Sequence, residues 1–111
     1  MRSVLSLGEF EHMVLLAILR LEDHAYGVAI RSEIERCGGQ SVTPGALYTT
    51  LDRLSEKGWL ASRVGDPTPI RGGRAKRYYT VTAPGIDAVT ASHRALQNLA
   101  AGLKIFEVAN A

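Results

Sequence analysis

A mainly α-helical domain carrying one small β-hairpin is the fold class that three observations predict. Before residue 57, three consecutive segments repeat apolar residues at helical spacing. Two runs rich in β-branched and aromatic residues, Trp59–Val64 and Lys76–Val81, flank a stretch holding two prolines and three glycines. Thr43-Pro44 and Thr82-Ala83-Pro84 each put a capping hydroxyl just ahead of a proline, which marks a helix start. The order is helix, helix, helix, strand, basic loop, strand, helix. That is the order of a winged helix-turn-helix with an extra C-terminal helix.

Each element has its own signal. Ser6 with Glu9 three residues on reads as a capping box. Phe10, Met13, Val14, Ala17, Ile18 and Leu21 follow at helical spacing, and Leu15, Leu16 and Leu19 occupy the other faces. A helix apolar nearly all round packs one face internally and another against a second chain. A second helix is expected from about Ala25 to Arg36, with Ile30, Ile34 and Cys37 inward, ended by Gly38-Gly39. Gln40 to Val42 is a candidate third strand. The third helix carries Leu47, Leu51 and Leu54 as an inward stripe and stops at Gly58, with Lys57 at the negative end of its dipole. Beyond Thr82 the chain is expected to be helical to its end. The division is a winged unit, residues 1–82, and a C-terminal dimerisation helix, residues 83–111.

The chain has 111 residues, one domain's worth. Hydrophobic residues make up 46% and charged residues 22%, a balance that disfavours disorder. The longest apolar run, Met13–Leu19, is far short of the roughly 20 residues that span a bilayer. It lacks a signal-peptide cleavage site, and a lone Cys37 has no internal disulfide partner, so a cytoplasmic location is expected. The net charge of +2 is unevenly spread. Residues 1–56 carry five basic against eight acidic side chains, net −3, whereas residues 57–79 carry six basic against Asp66 alone, net +5. Concentrated positive charge on a near-neutral chain calls for a local anionic partner.

At 100° per residue, setting Leu47 in the core turns Gly45, Tyr48, Thr49, Asp52, Arg53 and Glu56 outward. The second helix of a helix-turn-helix pair enters the major groove N-terminal end first. Gly45 allows close approach of backbone to phosphate, Tyr48 can donate to phosphate or pack on a thymine methyl, and Thr49 can reach a base edge. Arg53, a turn further on, suits a phosphate. Tyr48 has an alternative reading as a half-buried brace for the hairpin. Asp52 and Glu56 repel phosphate and are expected to pair with Arg53 or Lys57. Gly72-Gly73-Arg74-Ala75-Lys76-Arg77 puts three cations behind two glycines, fit for a wing that straddles the backbone or inserts Arg74 into a minor groove; a solvated loop is the bland alternative.

The last segment repeats Val89, Leu96 and Leu103 at one heptad position and Ser92, Leu99 and Phe106 at another, with Ser92 a flaw. Packing on its own core explains the stripe equally well. Joined with the apolar first helix, the favoured reading is a dimer contact through Leu15, Leu19, Val89, Leu96, Leu99, Leu103 and Phe106. His12, His24 and His93 share no metal spacing, one cysteine builds no zinc site, and no nucleophile elbow or phosphate loop occurs. Neither catalytic residues, nor a metal, nor a cofactor is expected.

Several motifs in order carry a resemblance: His24-Ala25-Tyr26-Gly27 with Ile30-Arg31-Ser32-Glu33-Ile34, Pro44-Gly45-Ala46-Leu47-Tyr48-Thr49-Thr50-Leu51-Asp52-Arg53-Leu54, Glu56-Lys57-Gly58, Gly72-Gly73-Arg74-Ala75-Lys76-Arg77-Tyr78-Tyr79 and Thr82-Ala83-Pro84-Gly85. From about Leu5 to Ala91 the chain resembles the PadR family of bacterial transcriptional regulators, in its short-tailed form. The resemblance implies a homodimer on double-stranded DNA, usually a repressor, joined through its first and last helices. It implies DNA contacts from Pro44, Gly45, Tyr48 and Thr49 and from a wing of Arg71, Arg74, Lys76 and Arg77. Thr43 and Arg53 complete the expected contact set. Family members often respond to small aromatic molecules; the sole tryptophan, Trp59, lies outside the last helix and reads as core, so no effector is identified. Two other classes stand beside a regulator. A winged-helix protein-interaction module would show an apolar outer face on the third helix, and a small-molecule sensor a pocket between the first and last helices.

Overall fold

The computed structural model describes residues 7–65 and 76–107. Its elements are α1 (Glu9–Leu21), a 3-10 turn (Glu22–His24), α2 (Gly27–Gly38), α3 (Pro44–Glu56), β1 (Leu60–Val64), β2 (Arg77–Val81), α4 (Ala83–Ala100) and α5 (Lys104–Glu107). Helices α1, α2 and α3 pack around one core, and β1 and β2 form an antiparallel hairpin paired from Leu60–Val81 to Val64–Arg77. This is the expected winged helix-turn-helix order.

The core follows from periodicity. Val14, Leu15 and Ile18 of α1, Ile30 and Ile34 of α2, and Leu47, Leu51 and Leu54 of α3 are buried together. The hairpin adds Leu60, Tyr79 and Val81 from its inward face, in the alternation a strand requires. Burying each large apolar side chain contributes about 1.5–3 kcal/mol.

Ends of elements are fixed by hydrogen bonds. Thr43 caps α3, its Oγ1 accepting from Ala46 N at 3.1 Å, with Pro44 at the first helical position. Thr82 caps α4 by accepting from Gly85 N at 3.2 Å, and its own hydroxyl donates to Gly58 O at 2.7 Å. One side chain thus ties the end of α3 to the start of α4. Gly85 has no room for a side chain, since a Cβ there would meet the Trp59 carbonyl oxygen.

Several expectations are corrected. The α1 cap is Gly8, with Glu11 Oε1 accepting from Gly8 N at 2.9 Å, because the helix starts at Glu9; Ser6 lies outside the described residues. Helix α2 runs Gly27–Gly38, and Cys37 is exposed because the α1–α2 crevice stays open at its last turn. Gln40–Val42 forms no strand; the place beside β2 is taken by Tyr26, bridged to Tyr78, with Tyr79 N donating to Ala25 O at 2.8 Å. The C-terminal segment is not one helix. Ala101 is extended and Gly102 has φ 78°, which separates α4 from α5 and breaks the heptad register before Leu103.

Two polar side chains of α1, Glu11 and His12, are buried. Burial pushes the Glu11 carboxyl up, but the Gly8 amide, the Lys57 ammonium and the charge of Arg53 together hold it below the usual carboxylate range. Lys57 Nζ donates to both Glu11 oxygens, at 3.1 and 3.3 Å, and lies 4.8 Å from the centre of the Trp59 ring. His12 Nδ1 and Ser92 Oγ share a hydrogen bond of 2.8 Å that joins α1 to α4. Burial, then the nearby His93, pushes the His12 imidazole below its ordinary 6.5.

The folded chain therefore protonates His12 at a lower pH than the unfolded chain does. The stability contributed is complete above about pH 6.5 and is lost as pH falls below it. A fall in the melting midpoint between pH 7.5 and 5.5 is expected, and it should be smaller in His12→Asn. Equal falls in both proteins would contradict this assignment.

Candidate nucleic-acid interface

Helix α3 has two faces of opposite character. Leu47, Thr50, Leu51 and Leu54 are buried, and Gly45, Tyr48, Thr49, Asp52, Arg53 and Glu56 all face solvent. The Thr43 cap and Pro44, both exposed, lead this face. A Cβ on Gly45 would meet nothing within 4 Å, so no packing within the chain demands glycine there. Thr49, Asp52, Arg53 and Glu56 make this outer face largely polar, with Tyr48 its one large exposed apolar side chain.

Tyr48 is 46% exposed, and the rest of its ring packs over Gly27 at the start of α2. It belongs to an open groove of about 610 Å3 lined by Tyr26, Gly27, Val28, Tyr48, Asp52, Lys76, Arg77 and Tyr79. Lys76 Nζ sits 4.1 Å from the centre of the Tyr26 ring, and Arg77 Nη1 donates to Ser62 Oγ at 3.1 Å. Both cations are exposed at the base of the wing. Burial pushes the Tyr79 phenol above its ordinary value, so it remains an O–H donor. Helix α3, the start of α2 and strand β2 thus converge on one groove. Arg71 and Arg74, the other expected wing cations, lie outside the described residues.

Tyr26, Gly27, Val28 and Tyr79 are groove residues that sequence reasoning did not single out. Their neighbourhood arises from the Tyr26–Tyr78 bridge, a non-local pairing with no local signature. The motif His24-Ala25-Tyr26-Gly27 was the available signal.

A second exposed surface is apolar. Leu16 and Leu19 of α1, Leu96 and Leu99 of α4, and Leu103, Ile105 and Phe106 are exposed, Leu99 by 77%. Leu15 and Val89, expected at a dimer contact, are instead buried in the core of their own chain, which leaves them almost no surface to offer. Ser92 faces α1, which accounts for its place in the apolar stripe. Between α1 and α4 runs an open groove of about 570 Å3, lined by Leu7, Gly8, Glu9, His12, Met13, Leu16, Ser92, His93, Ala95 and Leu96. Among the described residues, no group of three or more His, Cys, Asp or Glu is placed to hold a metal, and no helix is long and apolar enough to cross a membrane.

Comparison with known proteins agrees with this architecture. The family described as "Transcriptional regulator PadR-like family" matches residues 15–91. Transcriptional regulator Rv3488 of Mycobacterium tuberculosis is 41% identical over 79 residues, covering 71% of this chain and 69% of that protein. Among solved structures, a PadR family transcription regulator from Clostridium difficile superposes with a TM-score of 0.68 at 21% identity, covering 87% of this chain and 97% of the other. A structure described as the complex of hsRosR-S1 gives 0.66 at 28% identity, covering 94% and 86%.

The two faces of α3 should respond differently to substitution. Leu51→Ala is expected to cost about 2–5 kcal/mol through the cavity it leaves. Thr49→Ala and Arg53→Ala should stay within about 0.5 kcal/mol of the parent, as exposed positions do. Urea unfolding measures all three, and a large loss at Thr49 or Arg53 would contradict the assigned orientation.

Proposed function

Because this chain belongs to the PadR-like family of transcriptional regulators, we propose that it is a sequence-specific DNA-binding regulator acting in the cytoplasm as a homodimer, a repressor on a near-palindromic operator. The observation that carries this reading is the polar face of α3, presented beside the start of α2 and the cations of β2. A recognition helix reads base edges only if its outer side chains are polar, exposed and flanked by groups that take phosphates.

In this reading Thr49 reaches a base edge, and Thr43, Pro44, Gly45 and Tyr48 meet the backbone at the leading end of α3. Arg53, Lys76 and Arg77, with Arg71 and Arg74 on the wing, neutralise phosphates. The winged unit through residue 82 binds DNA, and the segment from residue 83 joins two copies. Leu19, Leu96, Leu99, Leu103 and Phe106 form the contact. No step requires a catalytic group or cofactor. The groove between α1 and α4 favours a second role, sensing of a small molecule, since it adjoins the same contact surface.

Selection of bound fragments from random duplex DNA at two salt concentrations tests the reading. A palindromic motif is expected, with half-sites centred about 34 Å apart and affinity falling steeply with salt. Thr49→Ala should relax the motif at one position, whereas Arg53→Ala should weaken all sequences alike and lower the salt slope by about 1. Weak binding without a motif would contradict the reading and favour the interaction module.

The dimer has a separate test. Leu99→Asp places a charge at the most exposed leucine of α4 and should halve the sedimentation mass. A dimer that persists in this variant would place the contact elsewhere.

A further inference from the structure

Gly27 is the first residue of α2, and its φ is not positive, so its backbone is one that any residue adopts. The first helical position accepts most side chains more readily than glycine. Conformation therefore gives no reason for glycine here, but contact does. A Cβ on Gly27 would collide with the Tyr48 hydroxyl and stand 2.8 Å from its Cζ and 3.1 Å from its Cε1.

The backbone on both sides of this contact is tied in place. Ala25 O accepts from Tyr79 N, and Tyr26 is bridged to Tyr78, which pins the start of α2 to the wing strand. The buried leucine stripe holds α3. The movable group is the phenol of Tyr48, at the far end of a flexible side chain on an exposed face.

We propose that Gly27 is a positioning residue for DNA binding: the Cβ it lacks is the seat into which the Tyr48 phenol folds. Seated there, Tyr48 presents its hydroxyl at the α2–α3 junction, in the groove that Lys76 and Arg77 also line. A side chain already ordered before binding spares the complex the entropy of ordering it. The inference rests on the DNA-binding reading and adds the residue that prepares one of its contacts.

The test compares the parent with Gly27→Ala, Tyr48→Ala and the double variant, using the duplex selected by the parent, thermal melting, and the NMR signals of the Tyr48 ring. Gly27→Ala should keep the melting midpoint, shift the Tyr48 ring signals and weaken binding about tenfold. In the Tyr48→Ala background it should add no further loss, because the two act through one contact. Parent-like binding by Gly27→Ala, or the same loss with and without Tyr48, would overturn the proposal. If Gly27→Ala unfolds, recovery of folding in the double variant supports the seat, and continued unfolding overturns it. Should the parent select no duplex, the DNA-binding reading fails separately. The ring signals then judge the seat: a shift in Gly27→Ala supports it, and unshifted signals overturn it.

Discussion

Three leucines with no solvent exposure, Leu47, Leu51 and Leu54, fix the rotation of α3, and the rest of the functional surface depends on that rotation. A helix that buried a different stripe would turn Thr49 and Arg53 into the core and lose its polar face. At about 1.5–3 kcal/mol each, losing the burial of even one of them would remove a large part of the 5–15 kcal/mol by which a domain's folded state is favoured. The same stripe meets α1 and the hairpin, so the side chains that face outward are placed by those that face inward.

The elements around α3 are tied to its two ends by directional contacts. At its C-terminal end, Lys57 pairs with Glu11 of α1 and lies over Trp59, and Thr82 donates to the Gly58 carbonyl. These bonds bring α1, the hairpin and α4 to one corner. At its N-terminal end, Tyr48 meets Gly27, and the backbone bond from Tyr79 to Ala25 sets the wing strand beside α2. His12 and Ser92 join α1 to α4 behind the core. One small framework thus carries both the exposed apolar side chains of α1 and α4 and the groove lined by α2, α3 and β2.

Much of this was legible in the sequence because it is written in local patterns. Thr43-Pro44 and Thr82-Ala83-Pro84 located two helix starts to the residue, and the leucine stripe assigned each face of α3 correctly. Several of the misplaced features depend on pairings distant in sequence. Nothing near Leu15 says that this face of α1 meets the core, and nothing near Tyr26 says that it bridges β2. Val89 and Ser92 looked like a heptad seam because the stripe that packs on α1 and the stripe left exposed share one helix. Gly102 carried the signal for the break before α5, and the apolar repeat running across it hid that signal. Tyr48 faces outward with 46% of it exposed, and the rest of its ring packs on Gly27 of α2, a neighbour the sequence did not indicate.

Membership of the PadR-like family and the polar face of α3 lead to the same reading by separate routes. Its central claim is that duplex DNA meets α3, the start of α2 and the base of the wing, and leaves the α1–α4 side free. Backbone amide NMR on adding the selected duplex tests that claim most directly. The expected shifts centre on Gly45, Tyr48, Thr49, Arg53, Gly27 and Arg77, with little change at Leu96 and Leu99. Shifts concentrated on α1 and α4, with α3 unchanged, would contradict it.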